Sequence, residues 1–313
     1  MDAALQRFIT ANHGAGVKER RSQYLSIRGL RYHCNEWGPP DAPIVMLLHG
    51  WMDVGASFQF MVDACRGNYR FIAPDWRGFG ESAWCDLDTY WFPDYFADLE
   101  ALLDHYAPSS PVALVGHSMG GNVASMFAGI RPARIARLVN VEGFGMHSTT
   151  HEQAPGRYAR WLDELKTLQR FRDYASFEEL AARLRTDNPR LTAERANFLA
   201  PHWGYLRPDG RVALRSDPTH KRVNANLYRL EEAMACWQAI TAPVLWVTGR
   251  ETQTLQRIGL DEAALAARKR AFRQLTDVEI AAAGHMIHHD QPAHLASAIE
   301  DFFRSGPVPF RGL

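Results

Sequence analysis

One serine of this chain stands in a setting that suits nucleophilic chemistry. An apolar run typical of a strand (112–115) leads into Gly116-His117-Ser118-Met119-Gly120, and small residues at helical spacing follow over 122–128. A Gly-x-Ser-x-Gly turn between a strand and a helix lifts the serine hydroxyl clear of the sheet, and its glycines remove Cβ clashes. The pattern predicts a nucleophilic Ser118. The alternative is a glycine-rich turn that carries an ordinary serine.

A serine hydroxyl is a weak nucleophile at neutral pH and needs a base to accept its proton. His285 lies in Gly284-His285-Met286-Ile287-His288, after a predicted strand and before a predicted helix. This placement puts it on a loop at the same sheet edge as Ser118, which favours His285 as the base. Three other histidines lie close in sequence and are the alternatives: His288, His289 and His294.

A carboxylate must hold the imidazole in the correct tautomer, and in this order of residues it falls between the serine and the histidine. Two glutamates satisfy that order. Glu142 ends the strand that follows the elbow helix, and Glu251 comes just after the next strand. The spacing alone leaves both open.

The elements around these residues alternate between strands and helices up to about residue 143, which predicts a parallel α/β sheet covered on both faces. The alternation stops over 144–240, where the residues are helical, aromatic and charged, and strand character returns at 243–249 and 278–283. A helical stretch of roughly a hundred residues is too long for an ordinary crossover connection. We therefore predict a core in two parts (1–143, with an arm at 1–21, and 241–313) and a helical cap at 144–240.

The overall composition is that of an ordinary globular protein. Of 313 residues, 46% are hydrophobic and 22% are charged. The 35 basic and 35 acidic residues cancel, so no global field favours nucleic acid or an anionic membrane as a partner. Neither class of partner is expected.

The scattered cysteines and the N-terminal sequence favour a cytoplasmic protein. No metal or cofactor is expected. The cysteines are scattered, the N-terminus lacks a signal-peptide pattern, and no apolar run could cross a bilayer. No cluster of histidine, cysteine and carboxylate has the spacing of a metal site. The run Asp75-Trp76-Arg77-Gly78-Phe79-Gly80 lacks the lysine of a phosphate-binding loop, and we interpret it as a structural turn. The four thiols, expected to be reduced, are Cys34, Cys65, Cys85 and Cys236.

With these motifs in this order, the chain resembles the α/β-hydrolase superfamily from about Ser22 to Ser305. The matching stretches are 49–51 (His-Gly-Trp), 75–82, the elbow, and 284–288 with Pro292 downstream. Within the superfamily, the stretches 141–145, 217–220 and 227–232 are similar to serine hydrolase-like proteins. The resemblance implies a mostly parallel central sheet with helices on both faces and an inserted α-helical cap.

The resemblance also separates the two carboxylates. Many members carry an aspartate three residues after the glycine that ends the later strand, and this chain has Thr252 there. A subset, including haloalkane dehalogenases, uses a glutamate after the earlier strand, where this chain has Glu142. The resemblance therefore favours Glu142, and Glu251 is then a solvated loop carboxylate.

A tetrahedral oxyanion needs two preset donors, usually backbone N–H groups. The elbow supplies the N–H of Met119 at a helix N-terminus, where the helix dipole also helps. The residue after His49-Gly50, Trp51, should supply the second, unless its indole only packs in the wall. His117, beside the nucleophile, is interpreted as support for the elbow.

The implied activity is that of a cap-bearing serine esterase, active as a monomer or homodimer. Its small-molecule substrate is expected to be a medium-sized, largely apolar ester, cleaved through an acyl-enzyme on Ser118. Competing interpretations are carbon–carbon bond hydrolysis of a diketone, thioester or peracid chemistry, and a non-catalytic small-molecule receptor. The cap residues expected to divide between core and pocket are Phe144, Met146, Trp161, Trp203, Tyr205, Tyr228 and Trp237.

Overall fold

A computed structural model describes residues 17–305 and residue 310, so most of the predicted arm at 1–21 lies outside the described residues. Strands run over β1 Arg21–Ile27, β2 Leu30–Trp37, β3 Ile44–Leu48, β4 Arg70–Pro74, β5 Val112–His117, β6 Ile135–Val141, β7 Gly204–Leu206, β8 Val212–Leu214, β9 Val244–Gly249 and β10 Leu275–Ile280. The α-helices are α1 Gln59–Ala64, α2 Phe92–Tyr106, α3 Met119–Ile130, α4 Ala154–Leu165, α5 Phe177–Asp187, α6 Ala193–Trp203, α7 Leu230–Gln238, α8 Thr254–Arg257, α9 Glu262–Lys269, α10 Ile287–Asp290 and α11 Pro292–Arg304.

Eight strands form one twisted sheet in the order β1-β2-β4-β3-β5-β6-β9-β10. The pairs β1–β2 and β2–β4 are antiparallel, and every other pair in this sheet is parallel. The predicted hairpin turns at Arg28-Gly29, where both residues have positive φ (50° and 80°). Such a turn matches the right-handed twist of the flanking strands. The predicted α/β class with a mostly parallel sheet is confirmed.

The central strands are buried on both faces, because helices cover each side of the sheet. Alternate residues of β3 belong to different cores: Leu48 packs in one cluster with Leu99 and Val123, and Leu47 packs in the other with Met61 and Leu295. Helices α2 and α3 thus cover one face, and α1 and α11 cover the opposite face. This explains why the central strands are continuous apolar runs without a polar alternation.

The carboxyl ends of the parallel strands meet at one sheet edge, and polar residues follow three of these strands directly. His49 follows β3, Ser118 follows β5, and Glu142 follows β6. Since β5 lies between β3 and β6 in the sheet, the three residues emerge side by side. Ligands bind at this edge in open α/β sheets.

The segment between β6 and β9 contains α4 to α7, but it is not purely helical. Strands β7 and β8 form a two-stranded antiparallel hairpin there, which the sequence analysis did not predict because each strand is only three residues long. Leu180, Leu199 and Val212 pack in a separate small core. That core joins α5 and α6 to the hairpin.

The carboxylate of Asp75 stabilises the turn at 75–80 through hydrogen bonds. Its two oxygens accept the N–H groups of Gly55 (2.7 Å) and Glu81 (2.9 Å). A Cβ at Gly80, which has φ of 57°, would meet Asp75 Oδ2 at 2.1 Å, so glycine is required there. Arg77 donates from Nε and Nη2 to the buried Asp98 at 2.5 and 2.6 Å and fastens the turn to α2.

Within the part of the chain that the structure describes, no helix is long and apolar enough to cross a membrane. All four cysteines fall in that part, and their thiols are free.

Candidate active site

Ser118 occupies a strained turn between β5 and α3. Its backbone has φ of 52° and ψ of −115°, a conformation that few residues other than glycine adopt. The turn is held by the N–H of Ser118, which donates to the Val141 carbonyl at 2.8 Å. A Cβ at Gly120 would lie 2.0 Å from the Leu48 carbonyl oxygen, and one at Gly116 would lie 2.3 Å from the Gly120 carbonyl. The two motif glycines are therefore sterically required.

His285 lies on the loop after β10 with its ring against Ser118. Its Nε2 is 3.0 Å from Ser118 Oγ, a hydrogen-bond distance that permits direct proton transfer. His117 Nε2 lies 2.8 Å from the His285 carbonyl oxygen and anchors the backbone of that loop. Burial holds the pKa of His117 well below the usual histidine value, so this ring is neutral and donates its Nε2 proton.

Glu142 completes the hydrogen-bonded chain from the opposite side of the imidazole. Its Oε2 lies 3.0 Å from His285 Nδ1 and accepts the Thr252 hydroxyl at 2.6 Å. Its Oε1 accepts the Gly249 N–H at 2.8 Å. The side chain is fully buried, and the backbone has a positive φ of 57°. A carboxylate held by three donors can face the imidazole in a fixed orientation.

Glu251, the other carboxylate that the sequence left open, points elsewhere. Its side chain is 48% exposed and pairs with Arg190. The structure gives it no contact with His285. The residue in this loop that the sequence analysis left without a role is Thr252: the hydroxyl stands where many relatives carry an aspartate, and it donates to Glu142.

The two residues expected to supply oxyanion donors flank the serine. Met119 is the first residue of α3, where backbone N–H groups have no partner within the helix. Trp51 follows Gly50, and a Cβ at Gly50 would lie 3.2 Å from Ser118 Cβ, so the backbone after β3 passes close to Ser118. The Trp51 indole is half exposed and lines the adjacent cavity.

A cavity of about 970 Å³ opens over Ser118. Its wall is mainly aromatic and aliphatic, which suits an organic substrate of moderate size. Of the cap residues considered from sequence, Phe144, Met146 and Tyr228 line this cavity. Four others do not line it: Trp161, Trp203, Tyr205 and Trp237.

His220 forms part of the cavity wall and was not singled out from sequence as a site residue. Its ring is stacked between Phe79 and Tyr90, with centroid distances of 3.9 and 3.8 Å. Burial lowers its pKa to about 3, so the ring is neutral at physiological pH. His220 therefore adds aromatic surface, without charge, to the wall.

A second cluster of polar residues lies near His285. Its members are far apart in the sequence, and their spacing did not predict that they meet. Asp53, His117 and His288 are all buried, with possible ligand atoms within 4.8 Å of one another, a grouping that could hold a metal ion. Protein partners already engage Asp53 and the Nε2 atoms of His117 and His288. His288 Nε2 lies 3.2 Å from Asp53 Oδ2, and the other carboxylate oxygen of Asp53, Oδ1, accepts the Val54 N–H at 2.9 Å. Asp53 thereby orients the His288 ring, whose centroid lies 4.5 Å from that of the His117 ring.

A sequence model described as the alpha/beta hydrolase fold matches residues 43–292. The chain belongs to this family. The match spans the sheet edge with Ser118, Glu142 and His285, so the family assignment covers the entire hydrogen-bonded chain. In this fold, the turn after the central strand is the usual place of the nucleophile.

Two curated relatives span most of the hydrolase chain. A serine hydrolase-like protein of Danio rerio is 25% identical over 279 residues, covering 86% of this chain and 83% of the relative. A 3-hydroxybutyrate-oligomer hydrolase of Cupriavidus necator is 29% identical over 299 residues, covering 90% and 96%. Among solved structures, a thioesterase domain from the curacin biosynthetic pathway superposes with a TM-score of 0.81 at 26% identity, covering 90% of this chain and 99% of that one. The chain is thus similar to hydrolases along nearly its whole length.

Proposed function

We propose that this hydrolase cleaves carboxylic esters through an acyl-enzyme on Ser118. The observation that carries the proposal is the continuous chain Ser118–His285–Glu142, with both contacts to the imidazole at 3.0 Å. In the first step His285 Nε2 takes the hydroxyl proton as Oγ attacks the ester carbonyl. The N–H groups of Met119 and Trp51 then stabilise the oxyanion. His285 returns the proton to the departing alcohol.

The second half of the cycle uses the same groups on water. His285 accepts a proton from a water molecule, which attacks the acyl carbonyl and releases the acid. Glu142 stays ionised throughout and stabilises the transient imidazolium. The relative that acts on 3-hydroxybutyrate oligomers supports ester cleavage, because those oligomers are joined by ester bonds.

The direct test is an ester panel combined with intact-protein mass spectrometry. We expect turnover of medium-chain para-nitrophenyl esters, covalent labelling by a fluorophosphonate, and a mass increase equal to the acyl group when a slowly deacylating ester is added. Turnover of a thioester with the same acyl chain is measured in parallel, to compare thioester with ester cleavage. Folded protein that is neither labelled nor acylated would contradict the proposal and favour the non-catalytic receptor.

Thr252 is expected to act as a positioning residue for Glu142. A Thr252→Val exchange keeps the shape and removes one of the three donors to the carboxylate. Since a hydrogen bond to a charged group contributes roughly 1.5–3 kcal/mol, we expect kcat to fall about tenfold or more while KM changes little. Steady-state kinetics on one ester checks this.

Thr252→Ser provides the matched control, because it keeps the hydroxyl and loses a methyl group. We expect it to restore most of kcat. Equal losses in the valine and serine variants would show that Thr252 acts through packing, and a rise in KM alone would place it in substrate binding.

A further inference from the structure

The cavity over Ser118 is lined by three arginines that come from separate segments. Arg157 belongs to α4, Arg222 follows the short 3-10 turn at 218–221, and Arg257 ends α8. The chain as a whole has zero formal charge. Three cations around one cavity are therefore a local concentration and do not follow from a basic composition.

These guanidinium groups are only partly committed to partners within the protein. Arg157 Nη1 donates to the backbone carbonyl of Asn224 at 3.1 Å, which is a neutral acceptor. Arg222 Nη1 donates to the backbone carbonyl of Asp88 at 3.3 Å and lies 3.9 Å from the carboxylate of Asp88, a side chain that is 66% exposed. The buried Nε of Arg222 has no acceptor among the described residues. The backbone N–H of Arg257 donates to the Gln253 carbonyl at 3.0 Å, but its guanidinium group has no partner within 17–305 and residue 310. Several charged donors remain available.

The cavity wall holds fewer carboxylates than arginines. Among the described residues, Glu142 is the single carboxylate of the lining, and both of its oxygens are already engaged by His285, Thr252 and Gly249. A cavity with low-dielectric walls concentrates the field of its charges, so an excess of arginine attracts anions there. Guanidinium groups bind carboxylates through paired N–H donors.

We propose that the substrate ester carries a carboxylate on one of its two arms and that Arg157, Arg222 and Arg257 recognise it. This inference rests on the proposed esterase function and narrows its substrate class. The apolar wall, which includes Phe92 and Tyr228, then contacts the hydrocarbon between the ester bond and the charged end. The preferred substrate is thus amphipathic, whereas the sequence analysis expected a largely apolar ester.

The test compares esters that differ only in charge. One pair is the para-nitrophenyl monoester of glutaric acid and its terminal amide, which place the charge or its neutral isostere on the acyl arm. The other pair is para-carboxyphenyl butyrate and para-carbamoylphenyl butyrate, which place it on the alcohol arm. We expect kcat/KM to favour the acid over the amide by about tenfold in at least one pair, with the preference falling as salt is raised.

The residues are tested with Arg157→Gln, Arg222→Gln and Arg257→Gln. The control is Arg183→Gln, an exposed arginine of α5 that pairs with Asp187 outside the cavity lining. At least one cavity variant should lower kcat/KM for the acid by about tenfold and leave the amide within about twofold, as loss of a charge-assisted contact predicts. The control should leave both unchanged. Equal turnover of acid and amide, or equal losses for both, would overturn the inference.

Binding separates this inference from the esterase proposal. Calorimetry with octanoate and octanamide needs no turnover, and the carboxylate should bind about tenfold more tightly than the amide, with the difference lost in at least one of the cavity arginine variants. If no ester is cleaved but octanoate is still preferred, only the esterase proposal fails. If octanoate and octanamide bind equally, the anion site is absent whatever the enzyme hydrolyses.

Discussion

Replacing Ser118 with alanine is expected to lower kcat for ester hydrolysis on the order of 10⁶-fold and to abolish fluorophosphonate labelling. The loss is large because the Ser118 hydroxyl, 3.0 Å from His285 Nε2, forms the acyl bond in the proposed mechanism, and without it no acyl-enzyme can form. Residual turnover would come from Met119, Trp51 and the cavity, which can still bind and polarise the ester.

The Ser118→Ala variant should still fold, so a loss of activity can be assigned to the missing hydroxyl. The backbone bonds of the turn, from the Ser118 N–H to Val141 and from the Asn122 N–H to Ser118, do not involve the side chain. We therefore expect an unchanged melting temperature for Ser118→Ala. Ser297→Ala, on the exposed side of α11, is the matched serine deletion and should retain full turnover and labelling. Labelling that persists in Ser118→Ala would place the nucleophile elsewhere.

The fold and the strand-turn-helix arrangement at Ser118 could be predicted because their signals are local. Strand, turn and helix follow one another within 112–130, and the glycine spacing reports a steric demand of that one turn. The continuous apolar runs of β3 and β5 likewise report burial on both faces. No long-range information is needed for either inference.

The carboxylate was harder because both glutamates follow parallel strands at the same sheet edge. Their difference depends on tertiary geometry: Glu142 turns inward with a φ of 57°, and Glu251 is drawn outward to Arg190 on another segment. Sequence spacing carries neither fact. The same holds for the three arginines, which come from separate stretches of the sequence and line the same cavity as Ser118 only in the folded chain.

Glu142→Gln is expected to lower kcat about 10⁴-fold while leaving KM nearly unchanged. The carboxylate accepts three hydrogen bonds, and an amide has only one oxygen with which to replace them. If that oxygen keeps the Gly249 N–H, the NH₂ group faces His285 Nδ1 and donates to it. The imidazole then carries its proton on Nε2, beside Ser118, and can no longer accept the hydroxyl proton.

Glu251→Gln is the matched control, because it makes the same chemical change in the loop after β9, the strand next to β6 in the sheet. Because Glu251 is half exposed and contacts Arg190 without reaching His285, we expect its kcat to stay within about twofold of the parent, in line with the small worth of exposed ion pairs. The reverse ranking of the two variants would mean that the loop after β9 rearranges in the working enzyme and brings Glu251 to the imidazole. In that case Thr252→Val should leave kcat unchanged, because Glu142, which accepts the Thr252 hydroxyl, would no longer support the base. The two glutamine variants and the Thr252 pair therefore have to agree, and together they assign the acid more securely than either could alone.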